Sequence, residues 1–285
     1  MSIEIKGLSS YYNRGSVYQV QALKDVSLTI EQGEFIGLIG HTGSGKSTLI
    51  QHINGLLKPD EGIVSVNGVT IDKDSKNLSQ LRKSVGLVFQ YPEYQLFEET
   101  VFKDIAFGPK NIGVPQEDIE RRVRDALDLV DLDYEAYAER SPFDLSGGEK
   151  RRVAIAGVLA MEPTILMLDE PTAGLDPKAR KDLLTELIRL HQKRNMTLIM
   201  ISHSMDEISK VAKRIIAMKN GQIVMDKPID QAFEDVPFLE SIGLGIPSIS
   251  RLFYELRQCG FHFTKNLFSL DEAKAELLRG VKNDS

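Results

Sequence analysis

Short, almost wholly apolar runs mark the centre of the chain. Residues 35–39, 165–168 and 197–201 are runs of this kind, which is typical of strands buried on both faces of a parallel sheet. Segments 117–131 and 147–161 instead carry apolar residues at the three- and four-residue spacing of amphipathic helices. Because strands alternate with helices along the chain, the pattern predicts a mostly parallel α/β core.

Further strands and a block of helices surround these runs. Residues 3–38 alternate apolar and polar positions less regularly and are predicted to form β structure. Residues 214–224 predict a final hairpin, with Asn220 and Gly221 as its tight turn. Residues 100–160 are mostly helical in pattern and are interpreted as an insertion in the α/β core.

The end of the chain has a different organisation. Prolines and glycines interrupt the pattern before residue 247, and residues 247–258 then have the spacing of an amphipathic helix. The capping-box sequence from Ser269 to Glu272 predicts a second helix, which is expected to stop at Gly280. The pattern therefore predicts a small α-rich extension.

Size and charge narrow the class of protein. The chain has 285 residues, 42% of them hydrophobic and 27% charged, which suits one main domain with a small appendage. The net charge of -6 argues against a protein that wraps nucleic acid, since phosphates demand a basic surface. The single cysteine, Cys259, excludes an intrachain disulfide. No apolar run approaches the about 20 residues of a membrane-spanning helix, and charges at Glu4 and Lys6 argue against a signal peptide.

A glycine-rich loop follows the apolar run at 35–39. The sequence from Gly40 to Ser47, Gly-His-Thr-Gly-Ser-Gly-Lys-Ser, stands between a predicted strand and a predicted helix, as a phosphate-binding P-loop does. Glycines let backbone N–H groups turn toward phosphate oxygens, and the helix N-terminus adds a partial positive charge. Lys46 is placed to reach the β- and γ-phosphates and Ser47 to ligate Mg²⁺.

Two acids end the apolar run at 165–168. Asp169 is expected in the coordination shell of Mg²⁺, and Glu170 is expected to polarise water for in-line attack on a phosphate. Two carboxylates after a strand are weak evidence alone, because charged residues often end a strand at the solvent. Beside a P-loop, they indicate nucleotide hydrolysis.

The segment 145–149, Leu-Ser-Gly-Gly-Glu, opens a predicted helix and resembles the signature motif of ABC ATPases. Its fifth residue is glutamate where many members of that family carry glutamine. The other motifs follow in the order of the family. Gln90 resembles the Q-loop glutamine, Asp176 the D-loop aspartate and His203 the switch histidine.

The resemblance implies a fold and a division into domains. ABC ATPases have a P-loop NTPase core with an N-terminal antiparallel β subdomain and a helical insertion subdomain, and the similarity spans roughly residues 1–230. It implies an ATP-hydrolysing domain over residues 1–235, with the helical insertion at about 91–160, and a small α-rich C-terminal extension over residues 236–285.

The site residues of the family carry over to the matching positions. Tyr12 resembles the aromatic residue that stacks on adenine, although Tyr11 is a competitor for that role. The resemblance implies catalytic roles for Glu170, His203, Gln90 and Lys46, and Mg²⁺ ligands at Ser47, Gln90 and Asp169. The implied contacts to bound ATP are Tyr12, Gly40, His41, Thr42, Gly43, Ser44, Gly45, Lys46, Ser47 and Thr48. The implied contacts to the ATP of a partner domain are Leu145, Ser146, Gly147, Gly148 and Glu149.

The remaining histidines carry no metal-site pattern. His41 lies inside the P-loop and is expected to face solvent. His52, His191 and His262 show no ligand spacing. No metal site formed by protein side chains alone is therefore predicted.

One P-loop and one signature segment, separated by the helical insertion, imply a site shared between two chains. Two domains are expected to sandwich two ATP molecules, with Ser146 of one chain against the γ-phosphate held by Lys46 of the other. Hydrolysis removes that bridge, so ATP is expected to drive a cycle of closing and opening.

Three classes of ABC ATPase are weighed on the same sequence. A DNA-repair or chromosome-structuring ATPase needs long heptad arms between its halves, and the sequence has none. A ribosome-acting ATPase usually holds two P-loops in one chain, and only one is present here. A transporter subunit is the remaining class and the preferred interpretation.

Two stretches narrow the transporter class. Residues 89–97 and 98–109 are similar to energy-coupling factor transporter ATPases, which power importers of vitamins and of metal ions such as cobalt or nickel. Residues 11–20, residues 51–59 and the extended tail look most like the second ATPase of that family's pair. An ATPase of another ABC importer, for metals or amino acids, is the alternative.

The same resemblance implies the partners and the location. The expected partners are a paralogous ATPase chain in a heterodimer, a transmembrane coupling protein and a substrate-capturing membrane protein, with no nucleic acid. The protein is accordingly expected at the cytoplasmic face of the cell membrane as a peripheral subunit. The transported substrate cannot be read from the sequence.

The helix after Gln90 is the predicted docking groove for the coupling protein. Its expected lining residues are Phe97, Phe102 and Ile105, and the acid expected to meet an arginine of the partner is Glu98, Glu99 or Asp104. A solvated acidic face is the alternative interpretation of these acids. The apolar stripe of residues 247–285 has two interpretations as well: it holds two ATPases together without nucleotide, or it packs on the core of its own chain.

Overall fold

The computed structural model describes residues 2–261, 263 and 267–283, and two β-sheets organise it. One sheet has four strands in the order β2-β1-β4-β5 and the other has six in the order β10-β9-β3-β8-β7-β6. The strands are β1 Ile3–Tyr12, β2 Val20–Ile30, β3 Phe35–Ile39, β4 Glu61–Val66, β5 Val69–Ile71, β6 Val85–Val88, β7 Ile165–Asp169, β8 Thr197–Ile201, β9 Arg214–Lys219 and β10 Gln222–Pro228.

The helices cover the larger sheet and form the insertion between β6 and β7. They are α1 Lys46–Ile53, α2 Ser79–Ser84, α3 Val101–Asn111, α4 Gln116–Leu129, α5 Tyr134–Tyr137, α6 Gly147–Leu159, α7 Pro177–Arg194, α8 Met205–Val211, α9 Ile229–Ala232, α10 Val236–Ser241, α11 Ser248–Gln258 and α12 Leu270–Asn283. Two single turns of 3-10 helix lie at Pro92–Gln95 and Pro142–Asp144. Within the described part of the chain, every helix is too short or too polar to cross a lipid bilayer.

The six-stranded sheet is parallel from β9 to β6, and only the edge strand β10 runs antiparallel. Its apolar strands divide their side chains between two cores, because successive residues of a strand face opposite sides. Ile36 and Leu38 of β3 pack toward the four-stranded sheet, whereas Phe35 and Ile39 pack toward the helical side. The predicted parallel α/β core is confirmed.

The four-stranded sheet is antiparallel throughout, as the family resemblance implied. Ile3 in β1 lies opposite Ile30 of β2 on one side and Val66 of β4 on the other, and all three side chains are buried. The final hairpin also forms as predicted. Asn220 and Gly221 both adopt positive φ angles, of 49° and 77°, as a tight two-residue hairpin turn requires.

The C-terminal helices form a small core of their own. Phe253, Leu267 and Ala273 are its buried members, while Leu252 and Leu278 remain exposed. The capping box at the start of α12 is present. The backbone N–H of Glu272 donates to Ser269 Oγ at 3.2 Å, and the backbone N–H of Ser269 donates to Glu272 Oε2 at 3.1 Å.

The predicted end of the last helix at Gly280 is wrong, because α12 continues to Asn283. A single glycine costs a helix only about 1 kcal/mol relative to alanine, so it does not by itself end one.

Candidate nucleotide-binding site

The P-loop connects the carboxyl end of β3 to the amino end of α1. Gly40 and Gly45 have φ angles of 151° and 105°, which side-chain-bearing residues rarely adopt. A Cβ atom on Gly40 would lie 2.5 Å from the carbonyl oxygen of Met218, and one on Gly45 would lie 2.8 Å from that of Ala22. Only glycine therefore allows the loop to curl this closely against β9 and β2.

Lys46 is held inside this loop. Its Nζ donates to the carbonyl oxygens of Gly40, at 2.7 Å, and of His41, at 3.0 Å. Burial lowers the pKa of the Lys46 ammonium, and the carboxylates of Asp169 and Glu170 offset part of that effect. The ammonium is thus held inside the loop, near enough to Asp169 and Glu170 for their charges to act on its pKa.

The acids that end β7 meet the other predicted catalytic side chains. Asp169 Oδ2 accepts a hydrogen bond from Ser47 Oγ at 2.8 Å. Glu170 Oε2 accepts one from Gln90 Nε2 at 3.1 Å, and Glu170 Oε1 lies 2.7 Å from His203 Nε2. Glu170 itself has a φ of 51°, an unusual backbone conformation of the kind that clusters at functional sites. The structure therefore brings all of these predicted residues to one place.

These residues line an open cavity of about 550 Å³ at the P-loop. Its walls are Tyr12, Val20, Gln21, Ala22, Thr42, Gly43, Gly45, Lys46, Ser47, Thr48, Gln90, Asp169, Glu170 and His203.

The two candidate adenine-stacking tyrosines differ in position. Tyr12 lines the P-loop cavity, is 43% exposed, and its hydroxyl lies 3.1 Å from Thr48 Oγ1. Tyr11 does not line that cavity, and its ring packs against the guanidinium of Arg14. Val20 pairs with Tyr12 across the hairpin and was not predicted, because only the register of β1 with β2 brings the two together.

The signature segment caps α6. The backbone N–H of Ser146 donates to Glu149 Oε2 at 2.8 Å, and the hydroxyl of Tyr137 donates to Glu149 Oε1 at 2.6 Å. Hydrogen bonds from Ser146 and Tyr137 hold the pKa of the Glu149 carboxyl at about 2. Glutamate at this position is thus a fixed anion that closes the first turn of the helix.

A second cavity, of about 630 Å³, opens at this helix terminus. Ser146, Gly147 and Gly148 line it together with Asp176, which caps α7 by accepting from the backbone N–H groups of Lys178 and Ala179. No residue lines both this cavity and the P-loop cavity, among the residues that the structure describes. The two predicted halves of the site are therefore separate within one chain.

The predicted docking residues have different environments. Phe97 is 56% exposed and packs edge-to-face on Phe107, with ring centroids 4.9 Å apart. Asp104 is already engaged, because its Oδ2 accepts from the backbone N–H groups of Phe97 and Glu98 at 2.9 Å each. The expectation that Ile105 lines a groove is wrong, since its side chain is fully buried in the helical core.

Two buried charged residues near the site were not predicted. Arg151 bonds Glu93, and Glu207 accepts from the hydroxyls of Thr172, at 2.6 Å, and Ser202, at 3.1 Å. Glu207 thereby ties the segment after Glu170 to the segment before His203. Glu93 is 58 residues from Arg151, and Thr172 is 35 residues from Glu207, so the sequence signal was limited to a charged residue at an apolar position of its helix.

His52 and His191 do not line the P-loop cavity. His191 Nδ1 lies 2.8 Å from the carbonyl oxygen of Met196, and its ring packs on Phe35. His52 is fully buried and neither ring nitrogen has a hydrogen-bond partner; burial lowers its pKa to about 4. His262 lies outside the described residues. Among the described residues, no group of three or more His, Cys, Asp or Glu is arranged to hold a metal ion.

Comparison with known proteins identifies relatives over the whole chain. The family model described as ABC transporter matches residues 23–173. An energy-coupling factor transporter ATP-binding protein EcfA2 from Clostridium perfringens is 53% identical over 285 residues, covering 100% of both chains. A protein with the same name from Streptococcus pneumoniae is 48% identical over 279 residues, covering 97% of this chain and 99% of the relative.

Solved structures match at lower identity. The cbiO1 protein of Clostridium perfringens, described as part of the ABC transporter complex cbiONQ, is 35% identical with a TM-score of 0.74 and covers 88% of this chain and 98% of its own. A dimeric ATP-binding cassette in a post-hydrolysis state, bound to ADP and Pi, is 30% identical with a TM-score of 0.71 and covers 80% of this chain and 98% of its own.

Proposed function

We propose that this chain works as one half of a pair of ATP-binding domains that closes and opens. The chain belongs to the ABC transporter family and, within it, to the energy-coupling factor transporter ATP-binding proteins. It is an ATP-binding subunit and an ABC-type ATPase coupled to transport. In this pair, each chain supplies part of the residues that bind and hydrolyse each ATP.

The separation of the two cavities carries the proposal. The P-loop cavity holds Lys46, Glu170 and His203, but no residue of the signature segment lines it. The signature cavity offers the N-terminus of α6, where free backbone N–H groups and the helix dipole favour an anion. The signature segment of a second chain completes the P-loop cavity of this chain. The signature segment of this chain completes the P-loop cavity of the partner in the same way.

The P-loop cavity provides the contacts for Mg-ATP. The backbone of the loop and Lys46 hold the phosphates, and Tyr12 provides the face for adenine. Ser47 Oγ and Asp169 Oδ2, 2.8 Å apart, are oxygen ligands of the kind Mg²⁺ prefers, and the Gln90 side-chain oxygen completes the proposed set. Mg²⁺ bound there neutralises phosphate charge.

Hydrolysis needs a water molecule oriented toward the γ-phosphate. Glu170 is proposed to polarise that water as its general base, because its carboxylate lies at the mouth of the cavity between Gln90 and His203. His203 is proposed to contact the γ-phosphate when the pair closes. Loss of the γ-phosphate then removes the link between the P-loop of one chain and Ser146 of the other, and the pair opens.

The partners and the location follow from the family. We infer a paralogous ATPase as the second chain, a transmembrane coupling protein as the docking partner, and a separate membrane protein that captures the substrate. Relatives named as energy-coupling factor transporter proteins, and the structure named as part of a transporter complex, support this set. The chain is accordingly proposed to sit at the cytoplasmic face of the membrane, where it powers uptake of a vitamin or a transition metal ion.

A hydrolysis-deficient variant tests the pairing. Glu170→Gln preserves the shape of the side chain, so we expect it to bind ATP, to stop hydrolysis and to trap the closed pair. Size-exclusion chromatography with light scattering is expected to show ATP-dependent dimers mainly with the paralogue. Equal dimerisation with itself would favour a homodimeric importer of another ABC type, and absence of any ATP-dependent dimer would overturn the shared site.

A further inference from the structure

The guanidinium of Arg151 is buried one turn inside the signature helix α6, with only 3% of its side chain exposed. Its Nε donates to Glu93 Oε2 at 3.1 Å, and its Nη2 donates to Glu93 Oε1 at 2.8 Å. This is a bidentate contact between a planar guanidinium and a carboxylate, the geometry that gives such pairs their directional specificity. Glu93 lies three residues after Gln90, so the contact fixes the signature helix to the segment that follows the Q-loop glutamine.

The same guanidinium reaches the segment after Glu170. Nη1 of Arg151 donates to the carbonyl oxygen of Pro171 at 3.0 Å and also to that of Ala173. Pro171 follows Glu170 directly in the chain. The Arg151 side chain thus bonds the backbone just after Glu170, the proposed general base. It also bonds the carboxylate of Glu93, three residues after Gln90.

Tyr91 completes the arrangement. It lies directly after Gln90, its backbone φ is 55°, and its ring centroid is 5.9 Å from Cζ of Arg151. A Cβ atom on Gly174 would lie 3.8 Å from the same ring. The ring therefore lies near both the Arg151 guanidinium and Gly174, which belongs to the segment that follows Glu170.

We propose that Arg151 is a positioning residue for ATP hydrolysis, because it sets the distance between the Gln90 segment and the Glu170 segment. The inference rests on the proposed role of Glu170 as the general base. The geometry needs arginine in particular: lysine can pair with Glu93, but it lacks the fork of donors that binds a carboxylate and two carbonyl oxygens at once.

A purely structural ion pair is the competing explanation, and kinetics distinguish the two. A structural pair affects the fraction of folded protein and leaves the turnover of folded molecules unchanged. A positioning residue lowers kcat in folded protein and changes the KM for ATP little, because the P-loop contacts to the nucleotide remain in place. Misplacement of a catalytic group by about 1 Å costs on the order of 100-fold in rate.

The test uses the full-length chain assembled with its paralogue and compares Arg151→Lys, Glu93→Gln and the double variant. We expect each single variant to lower kcat by about 10- to 100-fold, with the KM for ATP within about threefold of wild type. The double variant is expected to be no slower than the slower single variant, since both changes break the same contact. If Arg151→Lys does not fold, Glu93→Gln carries the test, because it keeps both carbonyl contacts.

Arg214→Lys is the matched control. Arg214 also makes a bidentate ion pair, with Asp226, and it lies at the amino end of β9, away from the P-loop cavity. It is expected to lose thermal stability and to keep the kcat of wild type. Wild-type kcat in folded Arg151→Lys, or full additivity of the two changes, would overturn the inference alone. Absence of ATP hydrolysis in the wild-type assembly would overturn the proposed function and the inference together.

Discussion

His203 Nε2 lies 2.7 Å from Oε1 of Glu170, on the opposite carboxylate oxygen from the one that Gln90 contacts. The carboxylate is therefore held from two sides by residues from two different loops. Because β7 and β8 are neighbouring parallel strands, their carboxyl ends place Glu170 and His203 side by side. This arrangement places the histidine beside the carboxylate that is proposed to activate water.

Removal of the histidine ring tests its part in hydrolysis. His203→Ala leaves Lys46 and the P-loop intact, so ATP binding is expected to persist while kcat falls by about 100-fold or more, the range of acid–base and orienting groups. ATP hydrolysis and equilibrium binding, measured on the same preparation, check this. His191→Ala is the control, because His191 contacts Met196 and Phe35 instead of the cavity. Equal losses in the two variants would refute a specific role for His203.

Substitutions of the two neighbouring tyrosines are expected to affect nucleotide affinity differently. Tyr12 lines the P-loop cavity and Tyr11 does not. Stacking of a base on an aromatic ring contributes about 1–3 kcal/mol, so Tyr12→Ala is expected to weaken ATP binding by about tenfold or more. Tyr11→Ala is expected to leave the Kd within about twofold of wild type. Fluorescence titration with a labelled nucleotide measures both, and a larger effect at Tyr11 would reverse the assignment.

His52 predicts a pH dependence of stability. Its pKa is lowered from 6.5 to about 4 by burial, so between these values the unfolded chain binds more protons than the folded chain. Proton binding by His52 in the unfolded chain therefore lowers the free energy of unfolding as the pH falls from 6.5 to 4. His52→Leu is expected to flatten the stability profile in this window. Urea unfolding at pH 7, 6 and 5 measures the profile, and an unchanged slope in the variant would contradict the prediction.

The acids beside Phe97 test docking to the coupling protein. Asp104 accepts two backbone hydrogen bonds, so its reversal would damage the fold, whereas Glu99 is exposed and its visible contact is with Lys103 at 2.5 Å. The double variant Glu98→Lys and Glu99→Lys is therefore expected to lose co-purification with the coupling protein and to keep ATP binding. Glu61→Lys with Asp74→Lys gives the same change in charge on the exposed surface of another part of the chain. Co-purification that survives in the first variant would support a merely solvated acidic face.

Local patterns predicted the parts of this protein that are contiguous in sequence. The strand–loop–helix around Lys46 and the apolar strand before Asp169 depend on neighbouring residues, and both form as expected. The hairpin turn at Asn220 and Gly221 is equally local, because its positive φ angles are a property of those two residues.

Features that depend on distant packing were not predicted. Glu93 and Arg151 are 58 residues apart, and only the fold of the helical insertion joins them. Ile105 was expected at a surface, but helix α3 turns it into the core while Phe107 remains exposed. Gly280 was expected to end a helix that in fact continues, since helix ends depend on tertiary contacts as well as on local propensity.

The most direct test of the shared site places a side chain at the signature helix terminus. A Cβ atom on Gly148 meets nothing within 4 Å, and its backbone is helical, so Gly148→Asp is expected to fold normally. Gly157→Ala, in the same helix with its nearest contact at 3.9 Å, is the control. The isolated Gly148→Asp chain is expected to bind ATP with wild-type affinity, while ATP-dependent pairing and hydrolysis fall by at least about 100-fold through repulsion of the partner's γ-phosphate. Loss of ATP affinity in the isolated chain, or wild-type hydrolysis in the assembled pair, would contradict a site completed by two chains.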